Sequence, residues 1–273
     1  MKFEVTASIV LYNNPQHMLI QSINSFLNST LLIKLYLIDN SPTNSLKDII
    51  SDPRVEYIHN PSNPGFGAGH NIAIRKALDV SPFHLVLNPD IFFDNGVIER
   101  LLSFMALNTD VGVVMPKVLY PDGSLQYVAR LLPSPIDLII RRLIPLKYIK
   151  DKVDERYELR GTKYNKTIEV PFLSGCFMLF RMDVLKGISG FDEKIFMYTE
   201  DIDICRRVMN SGYKSLFYPE VSVFHDHEKK SFMQYNTFRV YLKSAVYYFN
   251  KWGWLFDAER SRINKKTIRQ IKI

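Results

Sequence analysis

The first 120 residues alternate short β-rich apolar runs with helical patterns, and few folds accept that alternation. The runs at 5–11, 34–38, 55–59, 83–87 and 111–115 are too short for helices and rich in β-branched and aromatic residues. After the first, Asn14 as cap and Pro15 at the first helical position open a helix with Leu19, Ile20, Ile23, Phe26 and Leu27 on one face. Further helical patterns lie near 69–78 and 94–107. Helices between successive strands imply crossovers, so the expected fold is α/β with a doubly wound, mostly parallel sheet. Such sheets bind ligands outside the carboxyl ends of their strands, which directs attention to the loops after each run.

Those loops carry residues suited to a nucleotide. Asp39 ends the second run, where its carboxylate could accept a hydrogen bond from a pyrimidine N–H or close an Asx turn. The third run is followed by Asn63-Pro64-Gly65-Phe66-Gly67-Ala68-Gly69-His70-Asn71, whose glycines permit close backbone approach to a ligand. Their spacing is not G-x-G-x-x-G and they follow the third strand, which disfavours a dinucleotide fold. After the fourth run comes Asn88-Pro89-Asp90; hard divalent cations take oxygen ligands from one or two carboxylates plus phosphate, so Asp90 is a candidate metal ligand. Further on, Ile202, Cys205, Val208 and Met209 have helical spacing and set Glu200 and Asp201 in a first turn. Acids there favour the helix dipole, and beside Phe196 and Tyr198 they also suit a tuned general base. Residues 131–170, with Pro133, Pro135, Pro145 and a charged stretch from 150 to 166, read as an insertion or mobile loop.

Composition narrows the setting. At 273 residues, 47% hydrophobic and 23% charged, the chain can bury a full core and disorder is not indicated. Cys176 and Cys205 form no CxxC pair and lie in apolar surroundings, which fits buried thiols in a reducing compartment. The N-terminal apolar stretch, closed by Asn13-Asn14-Pro15, suits a first strand and not a signal peptide, and no run long enough to span a membrane appears. Of the net charge of +7, residues 228–273 hold +8 with seven Lys and four Arg against three acids, which makes basicity a tail property. Interleaved with Tyr247, Tyr248, Phe249, Trp252, Trp254 and Phe256, those cations suit an anionic membrane surface. No nucleic-acid-binding motif is present, so nucleic acid is not the expected partner.

Seven segments in order then resemble a known family: Ser8-Ile9-Val10-Leu11-Tyr12-Asn13, Leu37-Ile38-Asp39-Asn40-Ser41, the 63–71 loop, Leu87-Asn88-Pro89-Asp90, Ser174-Gly175-Cys176, Gly190-Phe191-Asp192-Glu193 with 196–203, and Val221-Ser222-Val223-Phe224-His225. Over about residues 5–250 the chain resembles the family 2 glycosyltransferases, and within them the rhamnosyltransferase-like branch that builds bacterial surface polysaccharides. The resemblance implies a GT-A fold and inverting transfer of a sugar, rhamnose foremost, from a dTDP- or UDP-linked donor to a hydroxyl of a lipid-linked or growing polysaccharide acceptor. It implies Mg²⁺ or Mn²⁺ at Asp90, the last acid of a D-x-D motif, with His225 completing the site and His227 in reserve. Tyr12, Asp39, Asn63, Gly65, Gly67, Asn71, Asn88 and Asp90 would then serve the donor, Asp39 meeting its pyrimidine; Gly175 and Asp192 would face the acceptor. Asp201 would be the general base and Glu200 its partner in the E-D pair. Asn88 departs from D-x-D, and losing that carboxylate leaves a metal less neutralised.

The implied organisation is a GT-A domain at 1–227, with a nucleotide-binding half to about 120 and an acceptor and catalytic half at 121–227, and a basic helical tail at 228–273 packed on it. The tail, and the apolar and basic stretch at 138–150, would bring a cytoplasmic protein to the inner face of the cell membrane; the oligomeric state stays open. Two other classes compete. A nucleotidyltransferase would carry a basic glycine-rich loop after its first strand, where this chain has Tyr12-Asn13-Asn14-Pro15. A catalytically degenerate scaffold is encouraged by Asn88 and opposed by Asp90, Glu200 and Asp201.

Overall fold

A computed structural model describes residues 2–138, 147–226 and 235–271. The alternating N-terminal half forms β1 (Val5–Leu11), α1 (Gln16–Leu27), β2 (Ile33–Asp39), β3 (Val55–His59), α2 (Phe66–Ala77) and β4 (Phe83–Leu87). These strands pair in parallel in the order β3-β2-β1-β4, with Leu11 beside Asp39 and Ile9 beside Leu87. Four carboxyl ends thus open on the same edge. Ile9, Leu35, Leu85 and Leu87 are fully buried because helices cover the sheet, which is why these strands read as continuous apolar runs.

The chain continues through β5 (Ile91–Phe92), α3 (Val97–Leu107), β6 (Val111–Leu119), β7 (Ala129–Arg130), α4 (Pro135–Leu138), α5 (Lys147–Tyr157), β8 (Ile168–Glu169), β9 (Phe172–Leu173), β10 (Phe177–Arg181) and α6 (Met182–Gly187). Then come α7 (Glu200–Asn210), β11 (Lys214–His225), α8 (Tyr235–Trp252) and α9 (Ala258–Ile271). Beyond β4 the sheet runs β10-β6-β11-β5, and the long β6 and β11 again pair in parallel, so the sheet is mostly parallel as expected. The exceptions in this order are β10, antiparallel to β4 and β6, and the short β5, antiparallel to β11. The reversal matters for the site: Phe177 at the start of β10 lies opposite Leu87 at the end of β4, which brings the 174–176 loop to the parallel strands' carboxyl edge.

Local departures have local causes. Pro15 occupies the cap and not the first helical position, and Ile20 is 38% exposed although it falls on the expected apolar face. Helix α2 starts at Phe66, so Gly67 and Gly69 lie inside it. The described part of 131–170 is packed and not loop: it contains α5, and Tyr157, Leu159 and Tyr164 are buried. The Tyr164 hydroxyl lies 2.5 Å from the Ala129 carbonyl and 2.8 Å from that of Glu158, and accepts from the Ala129 N–H. Residues 139–146 of the expected lipid-facing stretch, and His227, lie outside the described residues.

The C-terminal helices are built into the body. Helix α8 buries Tyr241, Ala245, Tyr248 and Phe249, while Asp257 forms a doubly hydrogen-bonded pair with Arg206 of α7 at 2.7 and 2.8 Å. Among the described residues, no helix is long and apolar enough to cross a membrane.

Candidate active site

The mouth of α7 is held from two sides. Tyr198 and Thr199 take consecutive left-handed conformations, φ +67° and +70°, which non-glycine residues keep only where their surroundings impose them. One constraint is α8: Ser244 donates to the Met197 carbonyl at 2.7 Å and receives Thr199 Oγ1 on its own carbonyl at 3.3 Å. The other is the start of α2, where the Phe66 N–H donates to the Phe196 carbonyl at 2.9 Å. Gly65, at φ +102°, is required there, because a Cβ on it would lie 2.1 Å from Phe196 O.

From that mouth Asp201 points at the loop preceding β10. The Gly175 N–H donates to Asp201 Oδ2 at 3.1 Å, and Oδ1 accepts from the Ile202 N–H at 2.9 Å. Glu200 is buried, and its Oε2 has no hydrogen-bond partner among the described residues. Burial, then the Asp201 charge, raises the Glu200 pKa well above the carboxylate range. Burial also raises Asp201, but the Gly175 and Ile202 N–H groups and the Arg130 charge oppose it. Within this coupled pair burial and the neighbouring charge favour the neutral form of Glu200, while the backbone donors favour the charge on Asp201.

A second group forms where β4 and β11 end. His225 Nε2 lies 3.2 Å from Asp90 Oδ1, with the Asp226 N–H on the Asp90 carbonyl at 2.9 Å and His225 opposite Ile91 fixing the register. Both groups act on one thiol: burial pushes Cys176 up to about 12, the Ser174 side chain opposes this, and Asp90 and Asp201 add to it. Cys176 is thus a buried thiol within electrostatic reach of both carboxylates, and the Asn88 N–H on its carbonyl at 2.9 Å ties that loop to β4. Among the described residues no cluster of three or more His, Cys, Asp or Glu could hold a metal. Two donors, one hard carboxylate and one imidazole, fit a Mg²⁺ or Mn²⁺ that takes its remaining ligands from phosphate and water.

A cavity of about 430 Å³ is lined by Tyr12, Asn14, Asn40, Asn63, Gly65, Phe66, Phe196 and Tyr198 among others, with Thr237 and Val240 from α8; Asp90, Asp201 and His225 are not in its lining. Its walls are mainly apolar with a few amides, as small-molecule sites are. Phe66 joins it to Asp201, since a Cβ on Gly175 would lie 3.4 Å from both that ring and Asp201 Cβ.

Of the residues expected at a donor, Tyr12, Asn63 and Gly65 line the cavity. Asp39 does not: it is fully buried, its Oδ1 takes the Ser41 N–H at 2.9 Å in an Asx turn, and its Oδ2 takes the Tyr57 hydroxyl at 2.5 Å. Gly67 and Asn71 also turn away from it. A Cβ on Gly67 would meet the Phe191 side chain at 2.8 Å, while the Asn71 amide pairs with both the N–H and the carbonyl of Phe191 at 2.8 and 2.9 Å. Asp192, expected on the acceptor side, holds Tyr247 and Lys251 of α8 at 3.0 and 2.7 Å. Gly65, Gly67 and Asn71 therefore secure the 190–198 segment to α2, while Asn63 and Gly65 reach the cavity. Two residues carry no strong sequence signal and emerge here. Gln126 lies against His225, and Arg130, held by its Nε on the Tyr127 carbonyl at 3.0 Å, has a charge opposed by burial and favoured by Tyr157, Glu158, Tyr164 and Asp201. The turn Pro121-Asp122-Gly123-Ser124 just after β6 was the available hint, since it must fold the chain back on the sheet edge.

The glycosyl transferase family 2 model matches residues 6–189. An N-acetylglucosaminyl-diphospho-decaprenol L-rhamnosyltransferase of Mycobacterium tuberculosis is 26% identical over 204 residues, covering 71% of this chain and 66% of the relative. The rhamnosyltransferase WbbL of Escherichia coli is 29% identical over 67% of this chain and 69% of its own length. Among solved structures, GalNAc-T7 with UDP, GalNAc and Mn²⁺ superposes with a TM-score of 0.65 at 15% identity, over 90% of this chain and 50% of that one. The mannosyltransferase PcManGT of Pyrobaculum calidifontis, with GDP-Man and Mn²⁺, gives 0.59 at 15% identity over 92% of this chain and 64% of its own. At such identities the likeness concerns the fold, which is GT-A.

Proposed function

This chain belongs to glycosyl transferase family 2, and from that premise we propose that it is an inverting transferase that moves a sugar, rhamnose foremost, from a dTDP- or UDP-linked donor to a hydroxyl of a lipid-linked saccharide. The observation that carries the proposal is Asp201, set on the Gly175 N–H and joined to the cavity wall through Phe66, together with the Asp90 and His225 pair at the ends of β4 and β11. The nucleoside stacks against the apolar cavity wall, with Asn40 and Asn63 as polar anchors.

Asp90 and His225 would hold the divalent cation, which when bound supplies the charge compensation a departing diphosphate needs. Asp201 takes the proton from the attacking acceptor hydroxyl as the bond to the anomeric carbon forms. Gly175 orients the Asp201 carboxylate through its N–H, while Glu200 stays neutral and adds no repulsion at that centre. Phe66, Phe196 and Tyr198 keep water from the donor, whose hydrolysis would waste it. Acceptor lipid and the protein meet at the inner face of the cell membrane, with the basic C-terminal helices on the lipid surface.

Mass-spectrometric screening of the purified chain against a panel of nucleotide sugars, with a polyprenyl-diphosphate-linked saccharide as acceptor, tests the proposal. Transfer of a single hexose or deoxyhexose, lost in Asp201→Asn, is expected. Transfer of a nucleotide instead, or wild-type turnover in Asp201→Asn, would overturn it.

A further inference from the structure

Strand β6 ends at Leu119, and the turn that follows doubles the chain back: the Gly123 N–H donates to the Tyr120 carbonyl at 2.9 Å, with Gly123 at φ +82°. Leu125 then bridges Leu119, and the Gln126 N–H donates to the Val118 carbonyl at 2.9 Å. Because Leu119 also pairs with Phe224 of β11, this return lays Gln126 beside His225. Its side chain is 7% exposed and makes two bonds to that one residue: Nε2 donates to the His225 carbonyl at 2.8 Å, and Oε1 lies 2.9 Å from Nδ1 of the ring.

The first bond fixes the second. With the amide nitrogen committed to the carbonyl, Oε1 must face the ring, and an amide oxygen only accepts. Nδ1 therefore carries a proton, and in the neutral imidazole Nε2 presents its lone pair toward Asp90 Oδ1, 3.2 Å away. A lone pair facing a carboxylate oxygen makes a donor set for a cation; in the other tautomer the N–H would satisfy Asp90 directly and shut that position.

We propose that Gln126 is a positioning residue that holds His225 in the Nδ1–H tautomer, so that Nε2 and Asp90 Oδ1 together form a divalent-cation site. This rests on Asp90 and His225 as the metal pair. Outer partners of this kind typically change metal affinity 10- to 100-fold when removed.

The test is Mn²⁺ binding to the full chain with UDP or dTDP present, read from the electron paramagnetic resonance of free Mn²⁺, for wild type, Gln126→Leu and Gln126→Glu. Gln126→Leu should weaken Mn²⁺ by about 10- to 100-fold, whereas Gln126→Glu, whose carboxylate still accepts the Nδ1–H but cannot donate to the carbonyl, should stay within about threefold of wild type. Equal affinity in all three proteins would overturn the positioning role. Equal weakening in both variants would also overturn it, assigning Gln126 to a clamp on the strand end. Failure of wild type itself to bind Mn²⁺ with either nucleotide would remove the Asp90 and His225 site, a result distinct from the other two.

Discussion

Two adjacent carboxylates in one first turn have unequal environments, and that inequality separates their expected behaviour. Asp201 accepts two backbone N–H bonds and feels Arg130, while Glu200 is buried with one oxygen unpartnered. Asp201→Asn should leave nucleotide binding intact and lower turnover by roughly 10²-fold or more, read as kcat with KM for donor nearly constant. Because burial raises the Asp201 pKa, kcat/KM should climb with pH through a value above the usual carboxylate range. A flat profile would count against Asp201 as the base. Glu200 makes a stability prediction of defined sign. Its folded pKa is raised by burial and by Asp201, so its contribution to stability is full below the unfolded value near about 4.3 and is lost as pH rises through the folded one. Glu200→Gln cannot ionise, so the Tm difference, variant minus wild type, should grow more positive from pH 5 to pH 8. A difference that shrinks over that range would refute the assignment.

At the scale of elements, the segment from Gly190 to Thr199 is the piece that the rest of the molecule holds in place. Helix α2 grips it through Asn71 and Gly65, and α8 grips it through Ser244, Tyr247 and Lys251. Gly65→Ala would introduce a Cβ 2.1 Å from Phe196 O at a φ of +102°. Left-handed strain alone costs about 1–3 kcal/mol, and the overlap must also move the 196–198 backbone that lines the cavity. Thermal melting should show the destabilisation and calorimetry with UDP or dTDP a weaker nucleotide. Gly123→Ala, in a turn with open space around it, supplies the control for strain without overlap. Unchanged nucleotide affinity in Gly65→Ala would separate that contact from the cavity.

For the molecule as a whole, the C-terminal helices are part of the core and also carry the exposed residues behind the proposed membrane contact. Removing them would uncover Arg206, which is 2% exposed, and strip Tyr241, Tyr248 and Phe249 from the core, so the tail is better probed by substitution than by truncation. Trp254, Leu255 and Phe256, between α8 and α9, are 37%, 75% and 98% exposed, and α9 presents Arg262, Lys265 and Arg269, while Lys266 is paired with Glu169. Apolar side chains beside cations fit an anionic lipid surface, where each cation contributes about 1 kcal/mol and salt screens only that part. The 273-residue chain should co-sediment with anionic vesicles, less so at high salt, and Leu255→Ser with Phe256→Ser should lower the salt-resistant fraction. Equal pelleting of variant and wild type would move the contact away from this turn.

Sequence by itself determined what local chemistry controls. Period and composition located β1 to β4, the turn at Asn88-Pro89-Asp90 put Asp90 at a strand's end, and first-turn spacing put Glu200 and Asp201 at a helix mouth. Each depends on residues within a few positions of one another. Tertiary structure decided which distant partners those residues meet. The antiparallel entry of β10 brings Gly175 to Asp201, 26 residues away, and the return after β6 brings Gln126 to His225, 99 residues away. It also turned Gly67 and Asn71 toward Phe191 and closed Asp39 under Tyr57, because a glycine or an asparagine has the same local signature whether a ligand or another backbone approaches it. Periodicity carries no information about which loops a sheet's strand order brings together, and at this edge strand order made the site.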